Sequence, residues 1–110
     1  MPYVVTCLDA PDRPELRRRL RARHLLYMIE HRACVLTGGP LLDESDTPVG
    51  SVMALDFATK SDVEAFLAQE PYTVGGLFGS VLIHRWRQMV PELIPNALER
   101  ELEAELSHAQ

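Results

Sequence analysis

Short clusters of apolar residues alternate with polar segments along the chain, and these clusters predict four strands. The first is "YVVTCL", a run rich in β-branched residues at positions 3–8. Three later runs have the same character: "ACVLTGGPLL" (33–42), "SVMALDFA" (51–58) and "SVLIHRWRQM" (80–89). The second strand is expected to end at the break formed by Gly39 and Pro40.

A helix is predicted from about Arg13 to His31, with Asp12 as its N-cap and Pro14 in its first turn. It carries a stripe of residues spaced three or four apart, which a helix places on one face. The stripe consists of Leu16, Leu20, His24, Tyr27 and His31. His24 is therefore expected to face the rest of the protein.

Two more helices follow later in the chain. Ser61 and Glu64 have the spacing of a capping box, so a short helix is predicted to begin at Ser61 and to end near Gln69. The segment "NALERELEAELSHA" (96–109) predicts a polar closing helix. Its apolar edge is formed by Leu98, Leu102 and Leu106.

The resulting order, βαββαβ followed by a helical tail, is that of an α+β, ferredoxin-like fold. We expect a four-stranded antiparallel sheet with two helices on one face and, because crossovers are right-handed, a strand order of 4-1-3-2. No change of composition suggests a second globular unit. The predicted organisation is one domain over residues 1–90 and a C-terminal helical tail over residues 91–110.

Both faces of the predicted sheet are apolar. In the first strand Tyr3, Val5 and Cys7 point to one side, whereas Val4 and Leu8 point to the other. A sheet with one solvated face would instead alternate apolar and polar residues. Two helices cover one face, so the other face is expected to pack against a second copy in a two-fold homodimer.

Charge narrows the range of partners. The formal net charge is −5, which argues against nucleic-acid binding because such binding requires a basic surface. The bases are nevertheless clustered, with six arginines between Arg13 and Arg23. This cluster has two interpretations: the solvated face of a helix, or a patch that attracts an anion to a site.

The start "MPYVV" has no signal-peptide pattern, and no apolar run is long enough to span a membrane. Cys7 and Cys34 both lie in predicted strands among apolar neighbours. Reduced thiols and a cytoplasmic location are expected, and the predicted strand order weakens the case for a disulfide between them. No membrane partner is expected.

The usual catalytic and cofactor motifs are absent, and no cluster has metal-ligand spacing, so neither a cofactor nor a metal is expected. His24 then has two interpretations. It is either a histidine hydrogen-bonded within the fold or a base paired with a carboxylate, for which Glu70 is the candidate. The stretch "EPYTVGGLF" (70–78) that follows Glu70 is likewise either a pocket wall or a tight connection whose apolar residues fill the core.

Three stretches, "RARHLLYM", "LTGGPL" and "EPYTVGGLF", together with the strand order resemble the YCII-related (YciI-like) family over about residues 3–89. The positions that carry the resemblance are Arg21, His24, Gly39, Pro40, Glu70, Pro71, Tyr72 and Gly76. The resemblance implies a dimeric α+β barrel with a His–Asp pair in a pocket, and one relative is a dehydrochlorinase. This sequence has Glu70 where the family usually has aspartate.

The candidate site that follows has His24 and Glu70 as catalytic residues. Its candidate substrate-binding residues are Arg21, Gly39, Pro40, Tyr72, Gly76 and Phe78. One hypothesis is a cofactor-independent lyase or isomerase that removes a proton from a small anionic or phenolic metabolite. The alternatives are a non-catalytic ligand-binding module and a structural dimer whose terminal helix engages a partner.

Overall fold

A computed structural model describes residues 2–108. The four strands are β1 (Tyr3–Asp9), β2 (Val35–Leu42), β3 (Pro48–Leu55) and β4 (Phe78–Arg85). The helices are α1 (Leu16–Glu30), α2 (Lys60–Gln69), α3 (Pro71–Val74) and α4 (Ala97–His108), with a 3₁₀ turn at Arg32–Cys34. None of the helices within residues 2–108 is both long and apolar enough to cross a bilayer.

The strands form one antiparallel sheet in the order β2-β3-β1-β4, which confirms the predicted order. The main core lies between α1, α2 and one face of this sheet. Its buried residues are Tyr3, Val5, Cys7, Met53, Leu55, Val63, Phe66 and Leu67. Alternate residues of β1 therefore face the helices, as a period of two requires.

The opposite surface of the sheet is called here the open face. Val4, Thr6 and Leu8 of β1 lie on it with their partners on β3 and β4, which are Gly50, Val52, Ala54, Ser80, Leu82 and His84. Leu8 and Leu82 are 50% and 56% exposed, and Val4, Thr6 and Val52 are half-buried. This surface is thus mainly apolar, although the helices of the same chain pack on the other side of the sheet.

Two helix starts differ from their predictions. Asp12 is not the N-cap of α1, because residues 10–15 form turns and the helix begins at Leu16 with no side-chain cap. Ser61 is not the N-cap of α2. The side chain of Thr59 fills that role by accepting a hydrogen bond of 3.1 Å from the backbone N–H of Asp62.

Strand limits also differ. β2 continues through Gly39 and Pro40 to Leu42 instead of ending at them. Proline is tolerated there because β2 is an edge strand, where one side of the backbone needs no partner. Cys34 lies in the 3₁₀ turn and not in a strand, and both cysteines are free thiols.

Candidate functional site

His24 and Glu70 lie in direct contact between α1 and the junction of α2 and α3. His24 Nδ1 is 2.5 Å from Glu70 Oε1. The side chain of Glu70 is 1% exposed and that of His24 is 18% exposed. The stripe on α1 turns His24 inward as its spacing predicted, so a residue near the middle of one helix meets the end of another.

Glu70 is held in place by the backbone around it. It ends α2 and precedes Pro71, the first residue of α3, in an extended conformation that neither helix can continue. Its Oε2 accepts hydrogen bonds from the backbone N–H of Thr73 at 3.1 Å and from the Thr73 hydroxyl at 3.3 Å. One carboxylate oxygen therefore caps α3 while the other is directed to His24.

Tyr72 forms the aromatic wall behind His24. The two rings are stacked with centroids 4.0 Å apart and an angle of 11° between their planes. Burial raises the pKa of Tyr72, and the positive charges of Arg17 and Arg21 oppose that rise. The hydroxyl therefore remains protonated at neutral pH and can donate a hydrogen bond.

Arg17 lies over the Tyr72 ring, with its guanidinium carbon 4.8 Å from the ring centroid. Two of its nitrogens donate to the two carboxylate oxygens of Asp9, each at 2.8 Å, and Nη2 also donates to Ser51 Oγ at 3.1 Å. Burial alone would lower the pKa of Arg17, but the hydrogen bonds and charge of Asp9 outweigh it, so the pKa is raised. The guanidinium is therefore held in a salt bridge with Asp9, and it lines the same pocket as His24.

Sequence reasoning did not single out Arg17, Asp9 or Ser51. Arg17 and Ser51 are 34 residues apart, and no motif joins them. The only sequence feature that pointed towards Arg17 was the arginine cluster, and the cluster by itself does not show which arginine turns inward. Of its members, Arg17 is half-buried, whereas Arg18, Arg19 and Arg23 are exposed.

A pocket of about 260 Å³ opens beside His24, between α1 and the strands β2 and β3. Its lining includes four of the predicted substrate-binding residues: Arg21, Gly39, Pro40 and Tyr72. Its other lining residues are Arg17, His24, Gly38, Ser51 and four apolar side chains: Leu25, Met28, Val35 and Met53. The lining thus combines apolar surface with two arginines and a histidine.

Gly76 and Phe78 do not line this pocket. Gly76 has a φ of +75°, which favours glycine, and its carbonyl accepts a hydrogen bond of 2.8 Å from Arg13 Nη1. Phe78 packs edge-on against Tyr72, with ring centroids 6.0 Å apart, and Leu77 is fully buried. The stretch 70–78 thus supplies one pocket wall, Tyr72, while its later residues fill the core.

Gly75 explains the close approach of α3 to α1. A Cβ atom at this position would lie 2.4 Å from Cδ1 of Leu20 and 2.9 Å from its Cδ2. Leu20 is buried and packs with Tyr72 and Leu77, so it has little room to move aside. The absence of a side chain at Gly75 therefore keeps the segment that bears Glu70 and Tyr72 close to α1.

The hydrogen bond between His24 and Glu70 decides what the imidazole can do. A carboxylate accepts hydrogen bonds, so Nδ1–H of His24 donates to Glu70, and Nε2 of the neutral ring keeps its lone pair. This is the arrangement of a base oriented by an acid. The described residues 2–108 contain no group of three or more His, Cys, Asp or Glu side chains that could hold a metal ion.

Cys7 does not have the properties of a nucleophile. It is fully buried in β1, and burial together with the negative charges of Glu70 and Asp9 raises the pKa of its thiol to about 12. A thiol reacts as its thiolate, so this side chain is inert at neutral pH. Its role is packing in the core.

Comparison with known proteins connects this geometry to a family. The chain is 27% identical over 97 residues to an uncharacterised protein of Haemophilus influenzae, an alignment that covers 81% of this chain and 99% of the relative. A solved structure of 5-chloro-2-hydroxyhydroquinone dehydrochlorinase (TftG) from Burkholderia phenoliruptrix, in complex with 2,5-dihydroxybenzoquinone, matches with a TM-score of 0.75 and 26% identity. That match covers 84% of this chain and 99% of the dehydrochlorinase.

A more distant structure shares the fold alone. It is a protein of Bacteroides thetaiotaomicron described as an antibiotic biosynthesis monooxygenase, with a TM-score of 0.55, 12% identity, and coverage of 86% of this chain and 93% of the other. These neighbours place the fold in the dimeric α+β barrel class, as the sequence predicted. The profile of the YCII-related domain matches residues 1–87, and the chain belongs to the YCII-related family.

Proposed function

We propose that this protein is a cofactor-independent lyase or isomerase that acts on a small anionic or phenolic molecule. The observation that carries the proposal is the 2.5 Å contact between His24 Nδ1 and Glu70 Oε1 beside a pocket. His24 is the general base, Glu70 fixes its tautomer and orientation, and Arg21 attracts the charge of the substrate. The likeness to the dehydrochlorinase supports this class of reaction.

The chemistry needs one base and no second reactant. Nε2 of His24 accepts a proton from a substrate O–H or C–H group, and the electron pair of that bond remains on the substrate. In an elimination this pair expels a leaving group such as chloride from an adjacent position, and in an isomerisation a neighbouring atom is reprotonated. Arg17 and Arg21 stabilise the negative charge that develops in the pocket.

The pocket supports the proposed substrate class. A volume of about 260 Å³ suits a single ring, and Tyr72 and the apolar residues provide surfaces on which a ring can lie. The two arginines favour a phenolate or carboxylate over a neutral ligand. Gly39 and Pro40 are the parts of β2 that we expect to contact this ring.

The test measures chloride release from 5-chloro-2-hydroxyhydroquinone by the wild type and by His24→Gln. A general base contributes about 100-fold or more to the rate, so H24Q should lose at least that factor. Glu70→Gln should also slow the reaction, because an amide can donate as well as accept and no longer selects one tautomer. His31→Gln is the matched control, since His31 is the C-cap of the same helix but bonds the Tyr27 carbonyl and lies outside the pocket.

A thermal-shift assay of 2,5-dihydroxybenzoquinone binding distinguishes an enzyme from a non-catalytic ligand-binding module. Binding without chloride release by the wild type would favour a non-catalytic ligand-binding module. Equal rates for the wild type and H24Q would overturn the catalytic role of the histidine.

We also propose that the functional unit is a homodimer formed through the open face. That surface is continuous over β1, β3 and β4 and presents Leu8 and Leu82 to solvent in the single chain. Contiguous exposed apolar surface of this kind marks an interface. The neighbours of this fold class support the same arrangement.

A further inference from the structure

A second and larger cavity adjoins the pocket of His24. It has a volume of about 740 Å³ and lies between the loop after β1, the first half of α1 and the start of β3. We call it the arginine groove, because four arginines line it: Arg13, Arg17, Arg18 and Arg21. Two of these, Arg17 and Arg21, also line the pocket, so the two cavities share a wall.

The groove has an excess of positive charge. Its acidic lining residues are Asp9 and Glu15, and Asp9 is already neutralised by its two hydrogen bonds with Arg17. Within residues 2–108, the guanidinium groups of Arg18 and Arg21 make no hydrogen bond. Two arginines with available donors therefore line one concave surface.

Arg17 fixes the junction of the two cavities. Its salt bridge with Asp9 and its bond to Ser51 leave the guanidinium over Tyr72, where it cannot swing away without losing three hydrogen bonds. The groove thus begins at a fixed ion pair, and its positive charge beyond that pair comes from Arg13, Arg18 and Arg21. Guanidinium groups recognise carboxylates and phosphates through paired hydrogen bonds, which makes an oxyanion the matching ligand group.

We propose that the arginine groove binds the carboxylate or phosphate of a ligand whose other end enters the pocket of His24. This inference rests on the proposed function and adds the substrate class: a small ring compound with an oxyanion set apart from the reacting atom. Along α1, Arg21 and Arg18 precede His24 by about 4.5 Å and 9 Å. The oxyanion accordingly lies on the N-terminal side of His24 along α1.

Two probes test the groove directly: pyrophosphate for a phosphate and benzene-1,3-dicarboxylate for a carboxylate. Isothermal titration calorimetry of the full-length protein gives the affinity of each. Arg18→Gln should weaken binding by about tenfold, because it removes a charge-assisted hydrogen bond. Arg19→Gln is the matched control, since it removes the same charge from an exposed neighbour outside both cavities, and it should change the affinity by less than about twofold.

The tighter of the two probes identifies which oxyanion the groove prefers. If R18Q and R19Q weakened probe binding equally, the proposal would be overturned, because the probe would then be attracted by the positive charge of the whole helix and not by the groove. Failure of the wild type to bind either probe at millimolar concentration would overturn it too. H24Q separates this inference from the proposed function. It should slow turnover by about 100-fold or more and leave pyrophosphate affinity unchanged, so the failure of one expectation leaves the other standing.

Discussion

Glu70 serves two helices and one histidine at the same time. It is the C-cap of α2, it caps α3 through Thr73, and it accepts a hydrogen bond from Nδ1–H of His24. Its side chain is 1% exposed, and its three hydrogen bonds offset the cost of burying a carboxylate. Aspartate, which is one methylene shorter, would withdraw the oxygens by about 1.5 Å. Glutamate here allows both contacts to form at once.

Cys7 gives a prediction about stability at high pH. Its pKa is raised from 9.0 to about 12 by burial, so the folded state keeps the proton that the unfolded chain releases. The stabilisation is fully present below pH 9 and is lost as the pH rises from 9 towards about 12. Urea unfolding between pH 8 and 11 should show this decline, with a contribution from Cys7 of at most about 1.4 kcal/mol per pH unit.

Cys7→Ala should flatten this decline without removing it, because burial also raises the pKa of Tyr27 and of Tyr72. Cys34→Ala is the control, since it removes the other thiol, which is only half-buried. The explanation fails if C7A and the wild type lose stability at the same rate.

At the scale of elements, the short helix α3 is what joins the core to the site. It holds Tyr72 against His24 on α1, and it also contacts α2. Tyr27 ties α1 to α2 as well, because its hydroxyl donates a hydrogen bond of 2.6 Å to the Phe66 carbonyl. The geometry of the His24–Glu70 pair therefore depends on how the helices pack on each other.

The start of α2 gives a test of its cap. Thr59→Ala should lower the free energy of unfolding by about 1 kcal/mol, because the backbone N–H of Asp62 loses its acceptor. Ser61→Ala should change it by less than about 0.5 kcal/mol, since Ser61 is an exposed residue within the first turn. Denaturant titration of both variants measures the difference. A larger loss of unfolding free energy in S61A than in T59A would show that Ser61 is the N-cap.

At the scale of the whole molecule, the chain is more extended than one compact domain. Its radius of gyration is 17.1 Å, against about 13 Å expected for its length. The C-terminal helix α4 accounts for this, because none of its described residues is buried and its leucines are 41–57% exposed. We propose that residues 91–110 are a tail outside a domain of residues 1–90.

Light scattering at micromolar concentration should give about twice the chain mass of 12.4 kDa. Leu82→Glu should shift the protein towards monomer, because it places a charge in the proposed interface. Val74→Glu, at an exposed apolar position on α3, is the matched control and should remain dimeric. A chain that ends at residue 94 should keep a cooperative unfolding transition, because the deleted helix α4 contributes no buried side chain.

A monomeric wild type would contradict the homodimer. A truncated chain that is insoluble or molten would show that the tail packs on the domain or on the partner.

Much of the fold could be predicted from the sequence, because it depends on local patterns. The strand order follows from element types and chain direction, and the inward position of His24 follows from helical spacing. Helix starts were less predictable. Thr59 and Ser61 are both good caps, and the backbone conformation at Thr59, with φ −133° and ψ 157°, decides between them.

The sequence alone determined the order of the four strands and of the helices α1, α2 and α4, the apolar character of both sheet faces and the family pattern that contains His24 and Glu70. Tertiary structure decided which arginine turns inward, that Asp9 and Ser51 hold it, and that Gly76 and Phe78 lie outside the pocket. The physical reason is the sequence separation over which each interaction acts. Periodicity and capping act over a few neighbouring residues, whereas a salt bridge or a pocket wall depends on segments that meet only after the sheet and helices have packed.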